Sequence, residues 1–202
     1  MCSEAQGSVR VGGDAGKALN SRAHLHRVLA FAWGMSEAVV FFVIPDVLIT
    51  RAALGSLRNG LITTAFALAG SLAGGVVSYL WGAGDLDGAR QVLDALPAIS
   101  IAMLDRAQLA LDRDGMFAAL VGSFTGVPYK VYAVHAASAD ITLPLFVLAS
   151  IPVRGVRFVL LAVLARGLAR YAVPSWSMQR LQRVWAIVWI VNYAIYWSVM
   201  PN

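Results

Sequence analysis

From Asn59 to Gly84 the chain carries no charged residue, and Arg58 and Asp85 close the run at its two ends. A bilayer core about 30 Å thick needs about 20 consecutive apolar residues in a helix. The run, containing LITTAFALAGSLAGGVVSYLWG, therefore predicts a transmembrane helix over 60–83. Composition agrees: 59% of the 202 residues are hydrophobic and 13% charged, against roughly 25% charged in a soluble domain. That balance excludes a disordered chain and makes lipid the main solvent. The 16 Lys+Arg against 11 Asp+Glu, a formal +5, then reads as the positive bias of cytoplasmic membrane loops rather than as nucleic-acid binding. The single cysteine, Cys2, excludes an internal disulfide framework and a Cys-based zinc site.

Two further spans are predicted at 141–165 and 181–200. The first carries Pro152, Arg154 and Arg157 inside it; the second has Arg183 at one end and Trp185, Tyr196 and Trp197 near the interfaces. Two other apolar stretches are broken midway. The first hairpin segment, 28–57, holds Glu37, Pro45 and Asp46, and the second, 116–136, holds Gly122, Gly126, Pro128 and Lys130. Non-helical backbone survives at membrane depth only beside protein or a water-filled cavity. Both stretches are read as re-entrant hairpins broken at Pro45 and at Gly126 and Pro128, with kinked full spans as the alternative.

Basic residues set the orientation. Arg10, Lys17, Arg22 and Arg27 precede the first hairpin, and Arg166, Arg170, Arg180 and Arg183 crowd the later loop, whereas 85–114 carries six aspartates. The Lys/Arg count places the N-terminus and the 166–183 loop in the cytoplasm and 85–114 outside. Residues 1–27 form a polar cytoplasmic tail without the apolar core of a signal peptide, and 28–200 form the membrane domain. His24 and His26 in that tail, with no third ligand nearby, read as polar residues at headgroup level rather than metal ligands. Within 85–114, Ile99, Met103, Leu104, Ala107, Ala110 and Leu111 share one helical arc opposite Asp105, Arg106, Gln108, Asp112 and Arg113, the pattern of an amphipathic helix lying at the interface.

At an offset of 83 residues Phe41 falls on Phe124 and Pro45 on Pro128. With one hairpin entering from each side, this suggests an inverted repeat, whose sites form at broken helices near the midplane. Chance similarity between apolar segments is the alternative. Gly70, Gly74, Ser78 and Gly82 recur every four residues, a groove that lets helix backbones approach closely. It serves packing within the monomer or a homo-oligomer contact.

A charge at the bilayer centre costs about 2.5–3.5 kcal/mol on insertion scales, so five residues require a reason: Glu37 and Asp46 in the first half, Lys130, Arg154 and Arg157 in the second. Arg154 lies about 18 Å from Arg166 at a rise of about 1.5 Å per residue, near mid-membrane. The bases suit an anionic headgroup, arginine by bidentate phosphate contact. The desolvated acids suit proton exchange. Pairing of acids with bases to brace the hairpins is the structural alternative, and Arg157 has the reach to snorkel. Asn192 reads as an interhelical hydrogen-bond donor and His135 as a hydrogen-bonded structural residue. No G-x-S-x-G, H-E-x-x-H or P-loop motif is present, so neither an enzyme nor a metal or cofactor is expected.

These residues resemble the DedA family, also called the VTT or SNARE-associated membrane proteins, and its short bacterial branch in particular. The similar blocks are Ser36-Glu37-Ala38 running to Pro45-Asp46, Ala69-Gly70-Ser71-Leu72-Ala73-Gly74-Gly75 with Tyr79, Gly122-Ser123-Phe124-Thr125-Gly126-Val127-Pro128-Tyr129-Lys130-Val131-Tyr132, and Ser150-Ile151-Pro152-Val153-Arg154-Gly155-Val156-Arg157-Phe158. Together they cover roughly 30–170. The chain departs from the family's pattern at Thr125 and Lys130, where many members carry arginines, and at Ala136-Ala137. The resemblance implies two opposed re-entrant hairpins and movement of phospholipid or polyprenyl phosphate across a membrane, with membrane acids and arginines needed for activity. The expectation is an all-α integral membrane protein of a bacterial cytoplasmic membrane that moves an anionic lipid, with Glu37 and Asp46 handling protons and Lys130, Arg154 and Arg157 engaging phosphate. A small-solute or ion transporter using the same acids and a noncatalytic membrane assembly factor are the alternatives.

Overall fold

The computed structural model describes the backbone of residues 4–41 and 43–199 and the side chains of 21, 23–41 and 43–199. Cys2, Phe42, Met200 and the side chains of Arg10, Lys17 and Arg22 lie outside the described residues. The described chain is helical, with no strand: α1 (Glu4–Val39), α2 (Asp46–Gly55), α3 (Leu57–Gly84), α4 (Leu86–Asp94), α5 (Ile101–Asp114), α6 (Met116–Thr125), α7 (Tyr129–His135), α8 (Leu143–Gly167), extended by a π-helical turn Leu168–Ala172, and α9 (Met178–Val199). Two helices are long and apolar enough to cross a membrane, Leu57–Gly84 and Leu143–Ala172. The segment 181–200 falls on α9, which has 22 residues and buries none of them. The polar segment before residue 28 is helical from Glu4 and continuous with α1.

Both apolar stretches are interrupted where their proline and glycine positions predict. Proline has no N–H and a fixed φ, so it is tolerated where a helix begins; Pro45 precedes α2 and Pro128 precedes α7. Gly126 ends α6 in the left-handed region at φ 92°, a conformation that costs glycine nothing. In each half the chain then doubles back. The Trp33 indole N–H donates to the Val43 carbonyl at 2.8 Å, and a Cβ at Gly122 would overlap the Tyr132 ring.

Residue pairs give the directions of the helices. Ser71 donates to Gly34 O and Ser78 to Ala38 O, at 3.3 and 2.8 Å, so α1 rises alongside α3 in the same sense. Leu68 lies against Gly155, Ser71 against Arg154, and the Tyr79 hydroxyl donates to Ile141 O; α3 and α8 are therefore antiparallel. Asp46 meets Arg157 and Leu54 O accepts from Arg166, so α2 runs with α8. Tyr129 covers Gly75 and Val134 O approaches Gly82, so α7 runs with α3. Each doubled-back segment thus lays its second arm on the long helix of the other half.

The small-residue groove of α3 is filled from inside the chain. Gly70 and Gly74 receive the α1 backbone at Phe31 and Met35, Gly82 receives Val134 of α7, and Gly70, Gly74, Ser78 and Gly82 are all buried. Of the two uses open to it, this one is intramolecular packing.

The amphipathic segment differs from its expected placement. It forms two helices, α4 and α5, and the α5 apolar arc does not face outward: Leu104, Ala107 and Leu111 are buried in the same core cluster as Tyr132 and Val134 of α7. The arc is as apolar as a lipid-seeking one, but the bundle offers it a packed partner. Asp85 caps α4 by accepting from Gly88 N at 2.9 Å, and Ser100 caps α5, both ordinary N-cap roles.

Candidate functional site

The five charges that the sequence singles out within apolar segments converge. Glu37 ends α1, Asp46 begins α2, Lys130 lies in the first turn of α7, and Arg154 and Arg157 lie on one face of α8. Glu37, Asp46, Lys130 and Arg154 are each 3% exposed or less, while the Arg157 side chain retains 23%. The breaks before α2 and before α7 bring them together, because they deliver a helix end from each half to the middle of α8.

Acids and bases pair across the halves. Arg154 bridges Glu37 through Nη2, with Nη1 at 3.5 Å from the other carboxylate oxygen, and donates to Ser71 Oγ at 3.2 Å. Its guanidinium stands over the rings of Tyr129 and Phe158, 5.0 and 4.8 Å from their centroids, a cation–π arrangement. Its Nε is buried without a partner. Arg157 donates to Asp46 Oδ2 at 2.6 Å and to Ser123 O at 2.7 Å. Asp46 Oδ1 has no partner. Lys130 meets a carbonyl rather than a carboxylate, donating to Phe41 O at 2.7 Å. The bracing pairs are thus formed, and a third cation stands beyond them.

These groups surround a cavity of about 180 Å³. Glu37, Lys130, Arg154 and Arg157 charge its wall, and Tyr129, Asn192, Tyr193 and Tyr196 supply further polar edges. Leu96, Pro97 and Ile99, from the α4–α5 connection, also line it. Between Pro97 and Ile99, Ala98 holds a positive φ of 67°, which an alanine adopts only under constraint from its surroundings. Asp46 lines an adjoining chamber rather than the cavity itself, and Arg157 lines both.

Three bases against two acids leave one positive charge in excess within a low-dielectric interior. Burying an unpaired charge is expensive, and an anion in the cavity offsets that cost. In chemical terms, with Arg154 planar and Lys130 a point donor, the arrangement suits an oxyanion such as phosphate.

Sequence reasoning missed the aromatic side of this site. Asn192, Tyr193 and Tyr196 come from α9, and the half-buried stripe Trp185, Ala186, Trp189, Tyr193, Tyr196 at helical spacing was the signal that marks its inward face. Nothing local marks Leu96–Ile99 as lining the cavity. His135 is buried and hydrogen-bonded to Val131 O and Arg90, a structural position. Among the described residues no cluster of metal-ligating side chains occurs. Comparison of the chain with models of known protein families, with curated proteins and with solved structures found no match.

Proposed function

We propose that the protein is a bacterial cytoplasmic-membrane transporter that moves an anionic lipid, a polyprenyl phosphate or phospholipid, across the bilayer. The observation that carries this is the excess cation, Lys130, in a cavity that holds one cross-half ion pair and borders a second. In this reading the two doubled-back segments are re-entrant hairpins entering from opposite faces, and α3, α8 and α9 are the three spans, with the N-terminus cytoplasmic. The exchange of second arms between the long helices supports an inverted repeat with its site at the broken helices. The DedA/VTT resemblance supports the same assignment. Lys130, Arg154 and Arg157 engage phosphate. Glu37 and Asp46 hold the arginines and release them on protonation, which would couple movement to protons.

A second reading, transport of a small anion, rests on the size of the cavity, about 180 Å³, which accommodates a free oxyanion without a lipid chain. Proteoliposomes with a labelled lipid phosphate separate the two. Lipid movement that is lost in Glu37→Gln and Arg154→Ala supports the first, and movement unchanged in both sinks it. Uptake of inorganic phosphate without lipid movement supports the second.

A further inference from the structure

Beside the charged cavity, between the start of α2 and the inner face of α9, lies an apolar groove of about 420 Å³. Val43, Val47, Ala186 and Ile190 line it, with the rings of Trp185, Trp189 and Tyr193. All three aromatic residues have a polar atom, and all three spend it inward. Trp185 and Trp189 both donate to Thr50 Oγ1, at 3.0 and 3.2 Å, and the Tyr193 hydroxyl accepts from Ile44 N at 3.0 Å. What the groove presents is therefore ring face and aliphatic carbon. Tyr193 lines the groove and the cavity alike, so the apolar groove adjoins a site with one cation in excess.

We infer that this groove binds the hydrocarbon chain of the anionic lipid whose headgroup occupies the cavity, with α9 as the wall between that lipid and the bilayer. The inference rests on the lipid-transport reading and adds a second binding site to it. An amphiphile has an anion covalently joined to a hydrocarbon, and the two adjoining surfaces match its two parts. An apolar groove with exhausted polar atoms has nothing to offer water, and aromatic faces take methylene chains without requiring a fixed geometry. Joining the two sites makes occupancy of the groove depend on headgroup charge, because the second contact becomes intramolecular once the first is made. A lipid merely passing along the protein surface has no such dependence.

The test uses the full chain in phosphatidylcholine nanodiscs doped with a phosphatidic acid bearing a diazirine at mid-chain, illuminated and mapped by peptide mass spectrometry. Adducts are expected to concentrate in 43–47 and 185–193. An excess of unlabelled phosphatidic acid should reduce them about tenfold, as expected for a site-specific interaction, while added phosphatidylcholine should not. Lys130→Gln should weaken this labelling. Ala186→Trp, which fills the groove, and Ile190→Asn, which makes it polar at a position 68% exposed, should each abolish it. Both should leave calorimetric binding of water-soluble glycerol phosphate intact.

Equal labelling of 43–47 and 185–193 by a diazirine phosphatidylcholine overturns the inference, as does labelling spread evenly over outward residues such as Leu80 and Leu148. A protein that is dimeric through α9, with the groove unlabelled, overturns it as well. In these cases glycerol phosphate binding persists, and the headgroup reading stands. Loss of glycerol phosphate binding in the unmodified protein marks failure of the headgroup reading, and the chain assignment falls with it.

Discussion

Ser71 on α3 and Arg154 on α8 are 83 positions apart and share a hydrogen bond of 3.2 Å. The same offset places Phe41 on Phe124 and Pro45 on Pro128. Were the halves related by a two-fold axis, a contact between equivalent positions would lie on it, so this bond is compatible with the proposed inverted repeat. The same offset equates Asp46 with Tyr129 and Arg157 with Gly74. One second arm meets its helix as an ion pair, Asp46 on Arg157, and the other as a tyrosine laid over Gly75, one position past Gly74.

The Glu37–Arg154 pair separates stability from transport. Arg154→Ala leaves Glu37 buried without its partner and should destabilise the protein by about 3–5 kcal/mol. The double variant Glu37→Leu/Arg154→Met should recover most of that stability, because apolar residues replace both charges. Lipid movement should remain lost in the double variant. Thermal unfolding in detergent and a flip assay, run on the same preparations, check both halves of the expectation.

Lys130 should behave differently. Lys130→Gln can still donate to Phe41 O, so unfolding temperature should stay near that of the parent. The excess charge goes, and charge-assisted hydrogen bonds contribute about 1.5–3 kcal/mol, so affinity for an anionic headgroup should fall about tenfold or more. Lys130→Arg should restore much of it. Calorimetry with glycerol phosphate reads the effect directly.

The buried arc of α5 distinguishes protein from lipid as its partner. Leu104 is fully buried and Leu109 is 67% exposed. Leu104→Ala should cost about 2–5 kcal/mol as a core truncation, and Leu109→Ala should lie within about 0.5 kcal/mol of the parent. Equal, small effects would mean that the arc rests on lipid.

Gly82 sits against the Val134 carbonyl with no space for a Cβ. Gly82→Ala should force α7 away from α3 and cost about 1–3 kcal/mol by overpacking. Because the groove is filled within the chain, the oligomeric state measured by light scattering should not change with the substitution. A shift in that state would assign the groove to an intermolecular contact.

How much of this was legible without the tertiary structure follows from which forces are local. The uncharged run ending at Gly84, the breaks at Pro45 and at Gly126 and Pro128, and the presence of five costly charges could all be read from the sequence. Helix length, proline chemistry and the penalty for charge in lipid depend only on a residue and its near neighbours. Which acid takes which base was not legible, since Glu37 meets Arg154 across two helices and no pattern along the chain encodes that meeting. The placement of α5 was misjudged for a different reason. An apolar face records that water is avoided, and lipid and protein interior avoid it equally well. Likewise Tyr193 and the Leu96–Ile99 connection reach the site only because α9 and the α4–α5 turn pack beside it. Local chemistry determined the helices, their breaks and the charges they carry; the packing of distant helices decided the ion pairs, the cavity and the cation left over.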